Sequence, residues 1–171
     1  MWRRSLVLWL VIVAVLGGCS LDRKVKRLSE TEYAHYYALR PFMDDEIRKT
    51  YLLKKTEEER SAYLKEVKLW DLFYKYEAHI RELIVAGKVQ NGWTKDMVLM
   101  AWGAPFDKRR LTGRPAPRSE LMIYRFELHE DGTALVWEPG SKTEYKAVSR
   151  FTRELYLDND VVTEMKQLEG W

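Results

Sequence analysis

The side chains that could do chemistry in this 171-residue chain are one cysteine, three histidines, a few carboxylate clusters and a run of arginines among prolines. His35, His79 and His129 sit on different segments, and none has a second histidine at metal-ligand spacing. Surface or capping roles are expected for them. Asp44-Asp45-Glu46 could be drawn as an acid cluster, as could Asp158 with Asp160, but the first fits a helix start and the second a hairpin turn. There is no Gly-rich phosphate loop, no Gly-x-Ser-x-Gly elbow and no His-Glu-x-x-His pattern. The residues therefore predict no catalytic group, no cofactor, no metal and no enzymatic activity. Cys19 remains. As the sole cysteine it can form neither an internal disulfide nor a thiolate metal cluster.

The setting of Cys19 suggests a different use for its thiol. Arg3 and Arg4 precede an unbroken apolar run over residues 6–16, and Leu16-Gly17-Gly18-Cys19 follows at once. A charged start, an apolar core and small residues before a cut site describe an export signal. The run falls short of the roughly 18 to 20 residues that span a bilayer as a helix. Arg3-Arg4-Ser5-Leu6-Val7 faintly echoes a twin-arginine signal, but the short preceding region and strongly apolar core favour the general secretory route. Leu-Gly-Gly-Cys resembles the lipobox of bacterial lipoproteins. That resemblance implies cleavage before Cys19, a diacylglycerol on its thiol and an acyl chain on the new amine. Each buried methylene contributes about 0.8 kcal/mol, and stable anchoring takes more than one chain. Ser20 stands where an aspartate often marks inner-membrane retention, so the resemblance implies the outer membrane, facing the periplasm.

Removal of residues 1–18 takes Arg3 and Arg4 from the 29 basic residues, leaving 27 against 26 acidic ones. A balance so near neutrality argues against nucleic acid as a partner, which needs a concentrated basic face. Residues 19–28 are polar and basic and read as a tether. Ser29-Glu30-Thr31-Glu32 and Thr56-Glu57-Glu58-Glu59 match capping boxes, in which side chains satisfy orphan amides at a helix start. The first predicts a helix to about Leu39, ended by Pro41, and a second short helix is predicted over 44–54. The second box opens the longest helical pattern, with Tyr63, Val67, Trp70 and Tyr74 at helical spacing. Another short helix, over about 77–86, stops at Gly87.

After Gly87 the character changes. Thr94 can cap a helix from Lys95 to about Trp102, with Gly103 as its stop and Pro105 preventing resumption. Met122, Tyr124, Phe126 and Leu128 then alternate with more polar residues, and Asp131-Gly132 marks a turn. Leu135 and Trp137 lie on a second strand, a third runs over about 145–157, and a fourth carries Val161, Thr163 and Met165. The fold class expected is α+β: a helical region over 29–86, then a domain over 87–169 with a short helix and a three- to four-stranded antiparallel meander.

Gly87-Lys88-Val89-Gln90-Asn91-Gly92-Trp93-Thr94-Lys95-Asp96-Met97-Val98, with Trp102-Gly103-Ala104-Pro105, resembles the BamE (SmpA/OmlA) family. That family has a Gly-Met-Thr start, a short helix with a Val and a Gly-x-Pro stop. Tyr124-Arg125-Phe126 resembles its first strand, and Leu155-Tyr156-Leu157-Asp158-Asn159-Asp160-Val161-Val162 its last hairpin. The likeness covers roughly residues 87–168. Trp93 replaces the family's usual Met, four strands stand where three are typical, and residues 29–86 have no counterpart. The resemblance implies an accessory or scaffold role in outer-membrane protein assembly, with an envelope complex such as the barrel-assembly machinery as partner. The same architecture occurs in β-lactamase-inhibitor-like proteins, so an inhibitor or ligand-binding module acting on a periplasmic enzyme is the alternative.

Two features could contact a partner. Lys108, Arg109, Arg110, Arg114 and Arg118, around Pro115 and Pro117, make up a basic loop over 108–118. It could meet anionic headgroups, lipopolysaccharide phosphates or an acidic protein surface. The other is the aromatic stock: Trp70, Phe73, Tyr74, Trp93, Trp102, Tyr124 and Trp137. Most are expected to fill the helix–sheet interface. Trp93, in the loop before a capped helix, is the one expected to be partly exposed and to touch a partner.

Overall fold

The computed structural model describes residues 21, 23–139 and 146–171; the apolar leader and Cys19 lie outside them. Two compact units divide the chain, residues 1–77 and 78–171. Among the described residues no helix is long and apolar enough to cross a membrane.

The first unit is helical. Residues 24–28 of the expected tether close a turn, with Arg27 N–H donating to the Lys24 carbonyl at 3.1 Å. Helix α1 (Glu30–Leu39) starts at the capping box of Ser29 and Glu32, and a 3-10 turn (Arg40–Phe42) follows it. Helix α2 (Asp45–Leu53) is capped by Asp44, whose carboxylate accepts the Ile47 amide at 2.7 Å. Helix α3 (Glu57–Glu66) starts at the box of Thr56 and Glu59. The long helix expected from Thr56 through Tyr74 is broken: Lys68 adopts φ 60°, and α4 (Leu69–Tyr74) begins after it. The reason lies in the core. Leu64 and Leu69 are both buried, and five residues apart on one straight helix they would point in different directions.

The second unit is built on one antiparallel sheet. Helix α5 (Ala78–Val85) belongs here and packs on α6 (Lys95–Trp102). Thr94 caps α6, and at its end Gly103 has φ 75° and ψ −157°, a conformation closed to other residues. The strands are β1 (Asp107–Leu111), β2 (Ser119–His129), β3 (Ala134–Val136), β4 (Ala147–Asp158) and β5 (Val161–Glu169). Their order is β1-β2-β4-β5, with β3 also on β2. The fold is α+β, helices first and strands last. Among the described residues there are five strands and not three or four, because β1 lies in the segment expected to be a basic loop. Lys108, Arg109 and Arg110 are all exposed, so this strand carries no apolar alternation; its backbone pairs with β2 in the register Asp107–Ile123 to Leu111–Ser119.

One face of β2 meets α6. The Trp102 ring stands edge-on to Tyr124 and Phe126, at 5.2 and 5.0 Å between centroids, and the Tyr124 hydroxyl donates to the Gly103 carbonyl at 3.0 Å. Alternation sends Leu121, Ile123, Arg125 and Glu127 to the opposite face.

Candidate functional site

The sequence-predicted contacts are not brought together as a single site. Cys19 lies outside the described residues. Trp93 is corrected from partly exposed to buried, at 5% exposure. Its loop is stitched to β5: Gly92 N–H donates to the Val162 carbonyl at 2.7 Å, and Val162 N–H to the Trp93 carbonyl at 2.8 Å. Two backbone bonds so close to the indole hold it in the core.

The basic segment is largely neutralised from within the chain. Arg109 Nε donates to Asp107 at 2.8 Å. Arg114 forks onto both Asp158 oxygens at 3.1 and 3.0 Å, and Arg118 pairs with Asp160 at 3.1 Å. The hydrogen bonds from Ser119 and Arg114 hold the Asp158 carboxyl below its ordinary range. Asp158 and Asp160 thus serve the β4–β5 turn and the basic loop at once. Lys108 and Arg110 remain exposed on edge strand β1, where charge guards an open edge against unwanted pairing.

The histidines offer no shared site. His35, expected at the surface or a cap, is buried in the helical unit with Nε2 2.7 Å from the Tyr74 hydroxyl. Trp70, Phe73 and Tyr74 surround its ring at 5.2–5.6 Å, so these three aromatics fill the helical core and not a helix–sheet interface. Among the described residues no group of three or more His, Cys, Asp or Glu could hold a metal. A groove of about 400 Å³ beside Lys54 and Tyr63 is shallow, and the Lys54 ammonium sits over the Tyr63 ring at 5.3 Å.

The feature that does gather unusual chemistry lies on the sheet unit, around Arg125. Three strand ends deliver rings to it. Phe106 enters just before β1, with its N–H donating to the Ile123 carbonyl at 2.8 Å. Trp137 follows β3, with its N–H on the Arg125 carbonyl at 2.8 Å. Trp171 follows β5, where Gly170, at φ 74°, bonds the Arg150 carbonyl at 3.0 Å and turns the indole back. The Trp171 Nε1 then donates to the Phe126 carbonyl at 3.3 Å. The Arg125 guanidinium carbon stands 3.5 Å from the Phe106 centroid, 4.7 Å from Trp171 and 5.7 Å from Trp137.

The rings also touch one another, Trp137 to Trp171 at 5.2 Å and Phe106 to Trp137 at 5.9 Å. The Arg150 guanidinium carbon lies over Trp171 at 4.8 Å from the ring centroid, and its Nη2 is 3.9 Å from a carboxylate oxygen of the buried Glu127. Cation–π contacts hold a guanidinium over a ring without using its hydrogen bonds. They leave its in-plane N–H groups for other partners, and among the described residues no carboxylate or carbonyl takes those of Arg125. Around this centre Phe106 is 48% exposed, Leu168 47% and Trp171 37%. Trp137, expected in the helix–sheet interface, is part of this cluster. None of the five ring and arginine positions stands out locally in sequence. The one available signal is Arg125 itself, alternating with Tyr124 and Phe126 and so assigned to the opposite face.

No family model, curated protein or solved structure matches this chain.

Proposed function

We propose that this chain is a lipid-anchored envelope protein without enzymatic activity, held on the periplasmic face of the outer membrane through Cys19. There it acts as a docking scaffold, and assembly of outer-membrane β-barrels is the process it assists. The observation that carries the anchoring is Leu16-Gly17-Gly18-Cys19 at the end of an apolar run too short to span a bilayer. The docking role is supported by a surface where arginine, tryptophan and phenylalanine lie together, the composition of interaction hot spots. The assembly role draws on the resemblance of residues 87–168 to the BamE family, with which a Thr94-capped helix ending at Gly103 before an antiparallel sheet agrees.

Intact-mass spectrometry of the protein from membranes tests the anchor. The expected species begins at Cys19 and carries three acyl chains, and Cys19→Ser releases the chain to the soluble fraction. A bare thiol with the leader attached overturns the anchor. In-cell crosslinking and recovery from the membrane fraction test the role. Recovery of the barrel-assembly machinery supports it, whereas recovery of a soluble periplasmic enzyme supports the inhibitor alternative.

A further inference from the structure

We propose that Arg125 is the anchor for a carboxylate on a partner protein: a Glu or Asp side chain presented next to an apolar residue that lies against Phe106, Leu168 and Trp171. The inference rests on the reading of the chain as a docking scaffold and names what docks.

Three observations carry it. First, Arg125 is a half-buried cation whose neighbours are rings, at 3.5 and 4.7 Å for the two nearest. A guanidinium held against aromatic rings keeps its planar N–H fork for hydrogen bonding, and that fork fits a planar carboxylate with two parallel hydrogen bonds. Because the rings already order the side chain, little rotamer freedom is left to lose on binding. Second, Arg125 is the arginine of this face without an ion-pair partner among the described residues. Arg150 has Glu127 at 3.9 Å, while Arg125 has no carboxylate among the described residues, so an incoming anion meets an uncompensated charge. Third, the rim is apolar: Phe106 and Trp171 are large, exposed and against Arg125, and the exposed Leu168 lies on the same sheet face, in register with Thr152, which pairs with Arg125. A bare anion would leave that surface in water, whereas an acidic residue with an apolar neighbour covers it.

A membrane surface is the weaker occupant. Headgroup recognition of anionic lipid relies on clusters of about four to eight basic residues. Here there are two arginines, one of them beside Glu127. The basic residues of the 108–118 segment are largely spent on Asp107, Asp158 and Asp160.

The test is selection of random peptides on the full mature protein in detergent micelles, followed by affinities of the enriched peptides for wild type, Arg125→Gln and Arg125→Lys. Enriched peptides are expected to share an acidic residue beside an aromatic or aliphatic one. Replacing that acid by its amide should weaken binding more than about tenfold, as should either substitution, since a charged hydrogen-bonded pair is worth about 1.5–3 kcal/mol. Arg125→Lys keeps the charge and loses the fork, so its weakness separates geometry from charge. Amide proton spectra of both variants confirm that the sheet is intact. Should either variant unfold, the indole Nε1 resonance of Trp171 in the wild type, shifting with the acidic peptide and not with its amide, supports the same assignment.

Enrichment of peptides without acid, or equal binding by wild type and Arg125→Gln, overturns the proposal. So does loss of binding to equimolar phosphatidylglycerol–phosphatidylcholine vesicles in Arg125→Gln with peptide binding unchanged, which assigns Arg125 to lipid. These readouts do not involve the acyl chains. A chain that binds acidic peptides yet carries an unmodified Cys19 refutes the membrane anchor and leaves this site standing.

Discussion

Replacing Glu32 with Gln removes one charge and almost nothing of the side chain's size. Glu32 is buried in the helical unit and performs two tasks. One oxygen accepts the Ser29 amide at 2.8 Å and completes the box that starts α1; the other takes Arg60 Nε, from α3. Arg60 is itself 13% exposed. A glutamine has one carbonyl oxygen for two donors, and its NH₂ must face an N–H. Breaking a buried pair by removing one partner costs about 3–5 kcal/mol. Arg60 keeps its Nη1 bond to the Lys54 carbonyl at 2.6 Å, which places Glu32→Gln near the low end, about 3 kcal/mol. For a unit of this size the unfolding midpoint should then fall by more than about 10 °C. Burial pushes the Glu32 carboxyl up, but the Ser29 amide and Arg60 together outweigh it, and the net shift is downward. A depressed carboxyl contributes stability above its unfolded pKa of about 4.3 and loses it as pH falls through the folded value. The difference between wild type and variant should therefore hold from pH 7 to about 5 and close only below about 4. Urea unfolding followed by far-ultraviolet circular dichroism measures both effects. Arg60→Met alone should be costly too, while Glu32→Gln with Arg60→Met should cost less than the two added, because the uncompensated charge is gone. A loss under about 1 kcal/mol for Glu32→Gln, or strict additivity, would show that the pair does not join α1 to α3.

Three other outcomes are expected of the sheet unit. Trp93→Ala should destabilise by about 3–5 kcal/mol, because the indole is buried and its loop is bonded to Val162; thermal denaturation reads this, and a change under about 1 kcal/mol would place Trp93 at the surface after all. Gly103→Ala should cost about 1–3 kcal/mol in the same measurement, since φ 75° with ψ −157° excludes a Cβ. Asp158→Asn should flatten the acid limb of the stability profile: the lowered carboxyl stabilises above about pH 3.9 and stops doing so as pH falls through its folded value. An unchanged profile would mean that Ser119 and Arg114 do not hold that carboxylate in solution.

What the sequence revealed and what it hid divide along the distance over which each feature is decided. Helix starts are settled within three residues, by a side-chain oxygen and an amide: Ser29, Thr56 and Thr94 each occupy the predicted cap, and Asp44 caps the helix start expected at 44–46. The hairpin turn at Asn159 and Asp160 is as local, with both residues at positive φ. The break at Lys68 is not, because it answers to the burial of Leu64 and Leu69 against other helices. Strand β1 is hidden for a related reason: Lys108, Arg109 and Arg110 are charged on both faces, and only β2, a dozen residues on, supplies a reason for them to extend. Trp93 looked exposed because the residue that holds its loop down, Val162, lies almost at the far end of the unit.

The Arg125 cluster is the extreme case. Its members come from just before β1, the middle of β2, just after β3, β4 and the second residue past β5, and no two are neighbours in sequence. In sequence Arg125 is one polar residue between Tyr124 and Phe126, indistinguishable from any solvent-facing position on a half-buried strand. Arg153, on the facing strand, is in phase with Phe151 and Leu155 and lies on the helix side among Trp102, Phe126 and Phe151 at 4.9–5.4 Å, where burial lowers its pKa. Two arginines of opposite phase thus face opposite sides of one sheet. One stands among rings against the covering helices, and the other among rings at an exposed surface. Alternation sets the face of each, but only the second has a rim on which another protein could settle, and that rim is made by the strand ends that bring Phe106, Trp137 and Trp171 to it.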